Sequence, residues 1–284
     1  MNAPSDVAAL ARAKAGATVE LAGITKRFAL RRGEVVTALE SFGLSILPGS
    51  FVAIVGPSGC GKSTLLRLIA GLDRADHGSV RIDGEPPEVA ATGHRIGVAF
   101  QDHALLPWLT VHQNVSLPFK LAGMPADRSR VETLVAMVGL AEFAEARPPQ
   151  LSGGMRQRVS IARSLALKPD LLLLDEPFGA LDLVTRRALN LEMQRVWESL
   201  GTTTLLITHS VDEAVQLADR VVVMASRPGR VHATFDSHLA RPRTRATTQG
   251  PEFTALVRRV ADALDDAMSG DGAQHVRAMA SREP

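Results

Sequence analysis

The stretch Phe51-Val52-Ala53-Ile54-Val55-Gly56-Pro57-Ser58-Gly59-Cys60-Gly61-Lys62-Ser63 decides the fold. Its five leading apolar residues read as a compact buried strand, and a glycine-rich turn follows at once. Leu65 to Gly71 then reads as a helix ending at glycine. Gly56 to Ser63 satisfies the pattern G-x-x-x-x-G-K-[ST] in full. Glycines in such a loop let the backbone curl until its N–H groups converge on phosphate oxygens, and the helix N-terminus adds the positive end of its dipole. The Lys62 ammonium is placed for the terminal phosphates. The Ser63 hydroxyl, with Thr64 beside it, is placed for a Mg2+ ion. A plain flexible turn is the competing reading, and the strand before and helix after argue against it. Cys60 takes a free position of the loop, carries no catalytic role, and is expected to be open to alkylating reagents.

A second element completes the site. Leu171-Leu172-Leu173-Leu174 is a buried strand that ends abruptly in Asp175-Glu176. A carboxylate at such a strand end holds the Mg2+ shell of phosphate-loop enzymes, which assigns Asp175. Glu176 is then placed to orient or deprotonate the attacking water. Adjacent strand residues point opposite ways, so the two carboxylates take different tasks. The competing reading is an acidic cap for the next helix.

Between and around these motifs strands alternate with helices. Val19–Ile24, Val35–Ala38 and Gly43–Ile46 form a β-rich start, Ser79–Ile82 precedes the hairpin signal Asp83-Gly84, and Ile96–Phe100 is a further strand. Val111–Ala122 and Arg128–Val138 have helical periodicity, which places a helical subdomain at about residues 102–160 inside an α/β core. The alternation resumes with a helix from about Val184 to Leu200, a strand Thr203–Thr208, a helix Val211–Ala218 and a strand Val221–Met224. This order implies a mostly parallel sheet with ligands at the carboxyl ends of its strands. Residues 1–17 read as a loose tail. Near the other end Glu252–Met268 reads as a helix with Phe253, Leu256, Val257, Val260 and Leu264 on one face, followed by a loose end from Gly270.

Composition bounds the function. The chain has 284 residues, 45% hydrophobic and 22% charged, which excludes wholesale disorder and suffices for a full core. A net charge of +2 is too small to argue a nucleic-acid partner. The single cysteine excludes an internal disulfide and suits a reducing compartment. No run approaches the ~18 apolar residues of a membrane helix, so a membrane role requires a partner. Met1–Gly16 lacks the apolar core of a secretion signal.

Leu151-Ser152-Gly153-Gly154, the spacing between the phosphate motifs, and Asp175-Glu176-Pro177-Phe178-Gly179-Ala180-Leu181-Asp182 together resemble the ATP-binding-cassette ATPases over residues 18–230. The resemblance implies a P-loop NTPase (RecA-like) core of α/β class, with an antiparallel β-subdomain and the inserted helical subdomain. Residues 231–284 then form a C-terminal extension. It further implies ATP and Mg2+ as ligands and ATP hydrolysis coupled to transport. Ser152, Gly153 and Gly154 look like the signature loop, which contacts the γ-phosphate bound to a second copy of the chain. Gln101 resembles the glutamine that touches Mg2+ or the attacking water, and Asp182 the acidic residue that crosses the dimer interface. His209 resembles the switch histidine that holds the γ-phosphate and Glu176. Two positions depart from the pattern. Met155 stands where glutamine is common, and the chain has no tyrosine to stack on adenine, which leaves Phe28 for that task.

Within the family, Leu105–Val111 and Ser226–Val231 resemble importers of nitrate, taurine and aliphatic sulfonates. Such a subunit works at the cytoplasmic face of the inner membrane, with two transmembrane permease subunits and, indirectly, a periplasmic or lipid-anchored solute-binding protein. Trp108 is the candidate docking residue for the permease, or else it packs the helical subdomain. An exporter or lipoprotein-release ATPase would share every catalytic motif and is the alternative.

Overall fold

The computed structural model describes residues 16–29, 34–177 and 190–280, except 192, 193, 196 and 199, with side chains as far as residue 269. Contacts divide the chain into two units. One gathers Leu47–Ser50 and Val89–Leu205 with the residues up to Ala17; the other gathers Thr18–Ile46, Phe51–Glu88 and Leu206–Pro284.

The second unit begins with the antiparallel sheet. Val19–Ala29 (β1) pairs with Val35–Ile46 (β2) from Val19↔Ile46 to Ala29↔Val35. Both strands are longer than expected, because Gly23 and Ser41, each at positive φ, accommodate register shifts that carry the pairing past polar residues. Phe51–Val55 (β3) is buried at every position and leads through the phosphate loop into Lys62–Ile69 (α1). His77–Ile82 (β4) closes the first sheet against β1.

The first unit carries a short helix Pro87–Thr92 (α2), whose chain crosses into it, and then Ile96–Ala99 (β5). Its helical part comprises Val111–Leu121 (α3), Arg128–Met137 (α4) and Gly153–Ser164 (α5). Thr110 and Gln113 cap α3 reciprocally, and the Asp127 side chain accepts from the Arg130 amide to cap α4. Asn114 is fully buried on α3 and ties down the preceding loop through the Leu106 amide and the carbonyls of Leu106 and Leu109. Leu171–Asp175 (β6) pairs in parallel with β5, from Ile96↔Leu171 to Ala99↔Leu174. Gly97 of β5 lies directly under the end of α5: a Cβ there would stand 2.2 Å from the Ser164 carbonyl oxygen. The described residues between 190 and 200 are helical, as expected there.

Thr203–Ile207 (β7) leads from the first unit into the second, where Val211–Leu217 (α6) follows. Arg220–Ala225 (β8) pairs in parallel with β3, from Val52↔Arg220 to Val55↔Val223.

From residue 231 onward the structure departs from the expected extension. Arg230–Asp236 (β9) pairs antiparallel to β8 along its whole length. Polar His232, Thr234 and Asp236 alternate with less exposed residues, the pattern of an edge strand that the short run concealed. A short helix Arg245–Thr248 (α7) precedes Pro251–Ala280 (α8), which packs on β8 and α6 through buried Phe253, Leu256 and Val260. The C-terminal residues are thus part of this unit. Helix α8 also runs past the expected end near 268. Gly270 and Gly272 read as a stop, but an interior glycine costs a helix ~1 kcal/mol relative to alanine and does not by itself end it. Residues 1–15 of the expected tail lie outside the described residues.

Candidate active site

In the second unit the phosphate loop is built by exclusion. A Cβ on Gly56 would lie 2.8 Å from Cys60 Sγ and 3.0 Å from the Met224 carbonyl oxygen. One on Gly61 would lie 2.8 Å from the Ala38 carbonyl oxygen, and Gly61 sits at φ 94°, where side chains are strained. Gly61 is the N-cap of α1 and offers no side-chain oxygen, so the first-turn amides keep their hydrogen-bonding capacity for an anion. Lys62 is buried and donates to the carbonyl oxygens of Gly56 at 2.8 Å and Pro57 at 2.9 Å, which draws the loop into a ring around the ammonium. Ser63 is exposed and Thr64 half-buried beside it; Pro57 is half-buried, and Ser58 and Gly59 are exposed.

Cys60 corrects the expectation of an accessible thiol. Its side chain is 1% exposed, packed under Gly56 with Sγ 3.7 Å from the Lys62 ammonium. Burial pushes its pKa up, with the Lys62 charge acting the other way. A position that the motif leaves free is therefore not free in this loop, because the thiol fills the space under the turn. Gly229 also belongs to the site, although only the fold brings it to the loop. A Cβ there would stand 2.2 Å from the Cys60 carbonyl oxygen, and its amide and carbonyl bond Ala38 and Glu40. The run Ser226–Val231 therefore braces the loop from outside.

His209 is exposed, two residues past the end of β7. Its neighbours are fixed: the Thr208 amide donates to the Ile54 carbonyl of β3, and Ser210 caps α6 by accepting from the Glu213 amide. Thr208 also bonds the Glu213 carboxylate. Phe28 lies on β1 opposite Val36, 39% exposed, with the Lys26 ammonium 5.3 Å from its ring centroid. That exposure places Phe28 outside the core.

In the first unit the parallel register of β5 and β6 aligns their carboxyl ends. Gln101, exposed two residues past β5, and Asp175 with Glu176, at the end of β6, therefore share one end of this strand pair. Asp175 is 8% exposed. Glu176 is half-buried with φ 45°, a left-handed conformation uncommon outside glycine, which breaks the strand alternation and re-aims its carboxylate. Ser152 caps α5 by accepting from the Met155 amide; Ser152 is exposed, Gly153 half-buried and Gly154 buried. Arg163 of α5 donates to the carbonyl oxygens of His103 and Ala104, both at 2.7 Å, so the signature helix holds the segment that follows Gln101. Burial, with the Arg156 charge next, lowers the His103 pKa. This brace has no local sequence signal. Trp108 is 64% exposed, which removes the subdomain-core reading. Asp182 lies outside the described residues.

A strand, a glycine-rich loop on the N-terminus of a helix, and an acid-ended strand in a mostly parallel architecture define a P-loop NTPase. The family model described as "ABC transporter" matches residues 39–179. The chain is 45% identical over 237 residues to the aliphatic sulfonates import ATP-binding protein SsuB of Bacillus subtilis (strain 168), covering 84% of this chain and 91% of that one. It is 44% identical over 251 residues to the uncharacterized ABC transporter ATP-binding protein MJ0412 of Methanocaldococcus jannaschii, covering 87% and 91%. Among solved structures, the dimeric post-hydrolysis state of the ATP-binding cassette MJ0796 bound to ADP and Pi superimposes with a TM-score of 0.69 at 35% identity, over 77% of this chain and 98% of that one. The chain belongs to the ABC transporter family, as an ATPase whose ATP hydrolysis is coupled to transport.

Proposed function

We propose that this chain is the ATP-hydrolysing subunit of an importer for aliphatic sulfonates, working as a pair of copies beneath two permease subunits at the cytoplasmic face of the inner membrane. The observation that carries this reading is 45% identity across 84% of the chain to an aliphatic sulfonates import ATP-binding protein. Among the described residues no helix is long and apolar enough to cross a membrane, which suits a peripheral subunit served by separate permeases. The dimeric cassette it resembles supports pairing. A solute-binding protein outside the membrane would deliver the sulfonate, which this subunit need not touch.

In this reading the loop amides of Gly56 to Gly61 and the Lys62 ammonium bind the phosphates of ATP, and Phe28 stacks on adenine. Ser152 to Gly154 and Asp182 serve the nucleotide bound to the partner copy. By the family resemblance Ser63, Asp175 and Gln101 would be the oxygen donors for Mg2+. This hard, oxygen-only set fits an ion held by one or two carboxylates plus substrate phosphates. When bound, Mg2+ would neutralise charge developing on the phosphates. Glu176 accepts the proton of the attacking water, and His209 holds the γ-phosphate in place.

Trp108, Leu121 and Met124 are exposed apolar side chains of the helical part. Leu121 also lines a cavity of about 330 Å³ with Leu117, Pro118, Leu167 and His94, and we assign the exposed apolar residues of this helical part to the permease. Trp108→Ala should leave the isolated chain's melting temperature and ATPase unchanged. It should weaken permease association by ~30-fold or more, the effect of losing a hot spot of roughly 2 kcal/mol. Co-purification with the permease measures this, and a large drop in melting temperature would assign Trp108 to packing. The function as a whole is tested by uptake of a radiolabelled alkanesulfonate in cells lacking this chain. The wild-type chain should restore uptake and Glu176→Gln should not. Unimpaired sulfonate uptake in the deletion strain would reject the assignment.

A further inference from the structure

Helix α6 begins two residues after His209 and is seven residues long, which makes it about 10 Å of rod. A helix so short is unstable alone and leaves its last four carbonyls without intrahelical donors. Two arginines from the segment after β9 supply them. Arg243, 1% exposed and among the largest fully buried side chains, donates through Nη1 to the carbonyl oxygens of Val215 (3.0 Å), Gln216 (3.2 Å) and Ala218 (2.7 Å). Arg241 donates through Nη2 to the Leu217 carbonyl oxygen at 2.6 Å. All four terminal carbonyls, Val215 to Ala218, thus face a guanidinium, whose positive charge also suits the negative end of the helix dipole.

The clamp extends to the phosphate loop. Arg241 binds Asp219 Oδ1 through both Nε (3.1 Å) and Nη2 (2.7 Å). The other carboxylate oxygen of Asp219 accepts from the Phe51 amide at 2.9 Å, and the Asp219 amide returns a bond to the Phe51 carbonyl at 2.7 Å. Phe51 starts β3, whose far end delivers Gly56. At the opposite end of α6, Thr208 and Ser210 fix the backbone on either side of His209 through Ile54 of the same strand and the first turn of the helix. One carboxylate and two guanidiniums therefore tie the helix that follows His209 to the strand that carries the phosphate loop.

We propose that Arg241 and Arg243 are positioning residues for ATP hydrolysis, holding α6 so that His209 keeps a fixed place relative to β3 and the phosphate loop. This rests on the role proposed above for His209. A displacement of 1 Å in a catalytic group costs up to ~10²-fold in rate, so loosening one end of a two-turn helix should be visible in turnover.

The test uses the purified full chain. Arg241 is only partly buried, so Arg241→Gln should fold; Arg243→Lys, which keeps the charge but is shorter and loses the Nε bond to the Leu239 carbonyl, is the second variant. Each should lower kcat about tenfold with the KM for ATP within about twofold. In a His209→Ala background, Arg241→Gln should lower turnover by less than about twofold further, because residues acting through one another are not additive. An equal fractional loss with and without His209 overturns the proposal. So does a lowered melting temperature with kcat unchanged. Normal kcat in Arg241→Gln beside an impaired His209→Ala removes the clamp alone, whereas full turnover in His209→Ala removes the His209 assignment and this inference with it.

Discussion

Glu176→Gln should lower ATP turnover by at least ~10²-fold, the lower range for loss of a general base, while ATP binding is retained. Glutamine is isosteric with the carboxylate and keeps its hydrogen-bonding reach, but it does not take a proton from water at neutral pH. The backbone singles this residue out. Strand β6 buries all five of its residues, and at Glu176 the chain turns to φ 45°, so the carboxylate leaves the strand's two-fold alternation. A non-glycine residue in that region costs of order 1–3 kcal/mol and persists where the surroundings over-determine it, often at reacting centres. The variant should also accumulate as an ATP-bound dimer, since nucleotide that is not hydrolysed keeps favouring the state that binds it best. Light scattering with Mg2+ and ATP should show two copies. A Glu176→Gln chain that hydrolyses ATP at near wild-type rate would assign the base elsewhere.

What sequence reading recovered, and what it missed, follows from the range of the interactions. The loop Gly56–Ser63 and the strand Leu171–Glu176 were legible because their chemistry is local: residue type and spacing along the chain set where the amides, ammonium and carboxylates lie. Strand β9 was illegible because an edge strand exists through its partner β8, and seven alternating residues carry too little pattern to announce it. Cys60 was misjudged for the same reason. Its thiol lies against Gly56, a position that Met224 also approaches once β3 and β8 pair, and Gly229 closes on the loop by a comparable long-range approach. Arg241 and Arg243 carry no motif signal, because the carbonyls they bond at the end of α6 are brought to them only by the fold. Ser152 was read from the sequence only as part of the signature loop; the structure shows that its side chain also accepts from the Met155 main-chain amide, a contact indifferent to the side chain at that position.

Lys62→Ala should act on the other term, ATP affinity. Lys62 is 8% exposed and its ammonium is held by two loop carbonyls, with the Cys60 thiol close by. A buried cation solvated by carbonyl dipoles alone gains strongly from a polyphosphate brought next to it, because the low local dielectric magnifies the attraction. A hydrogen bond to a charged group contributes about 1.5–3 kcal/mol, so truncation should weaken ATP binding by roughly 10- to 100-fold. The truncation also leaves the Gly56 and Pro57 carbonyls without their donor, which loosens the ring that preforms the loop. Lys62→Arg should not restore affinity, since a planar guanidinium is larger than the ammonium and the space beside Cys60 is filled. Titration of each variant with ATP, followed calorimetrically, separates these effects from catalysis: Lys62→Ala should fail to bind at concentrations that saturate Glu176→Gln. An ATP dissociation constant within twofold of wild type in Lys62→Ala would show that the loop amides alone hold the phosphates.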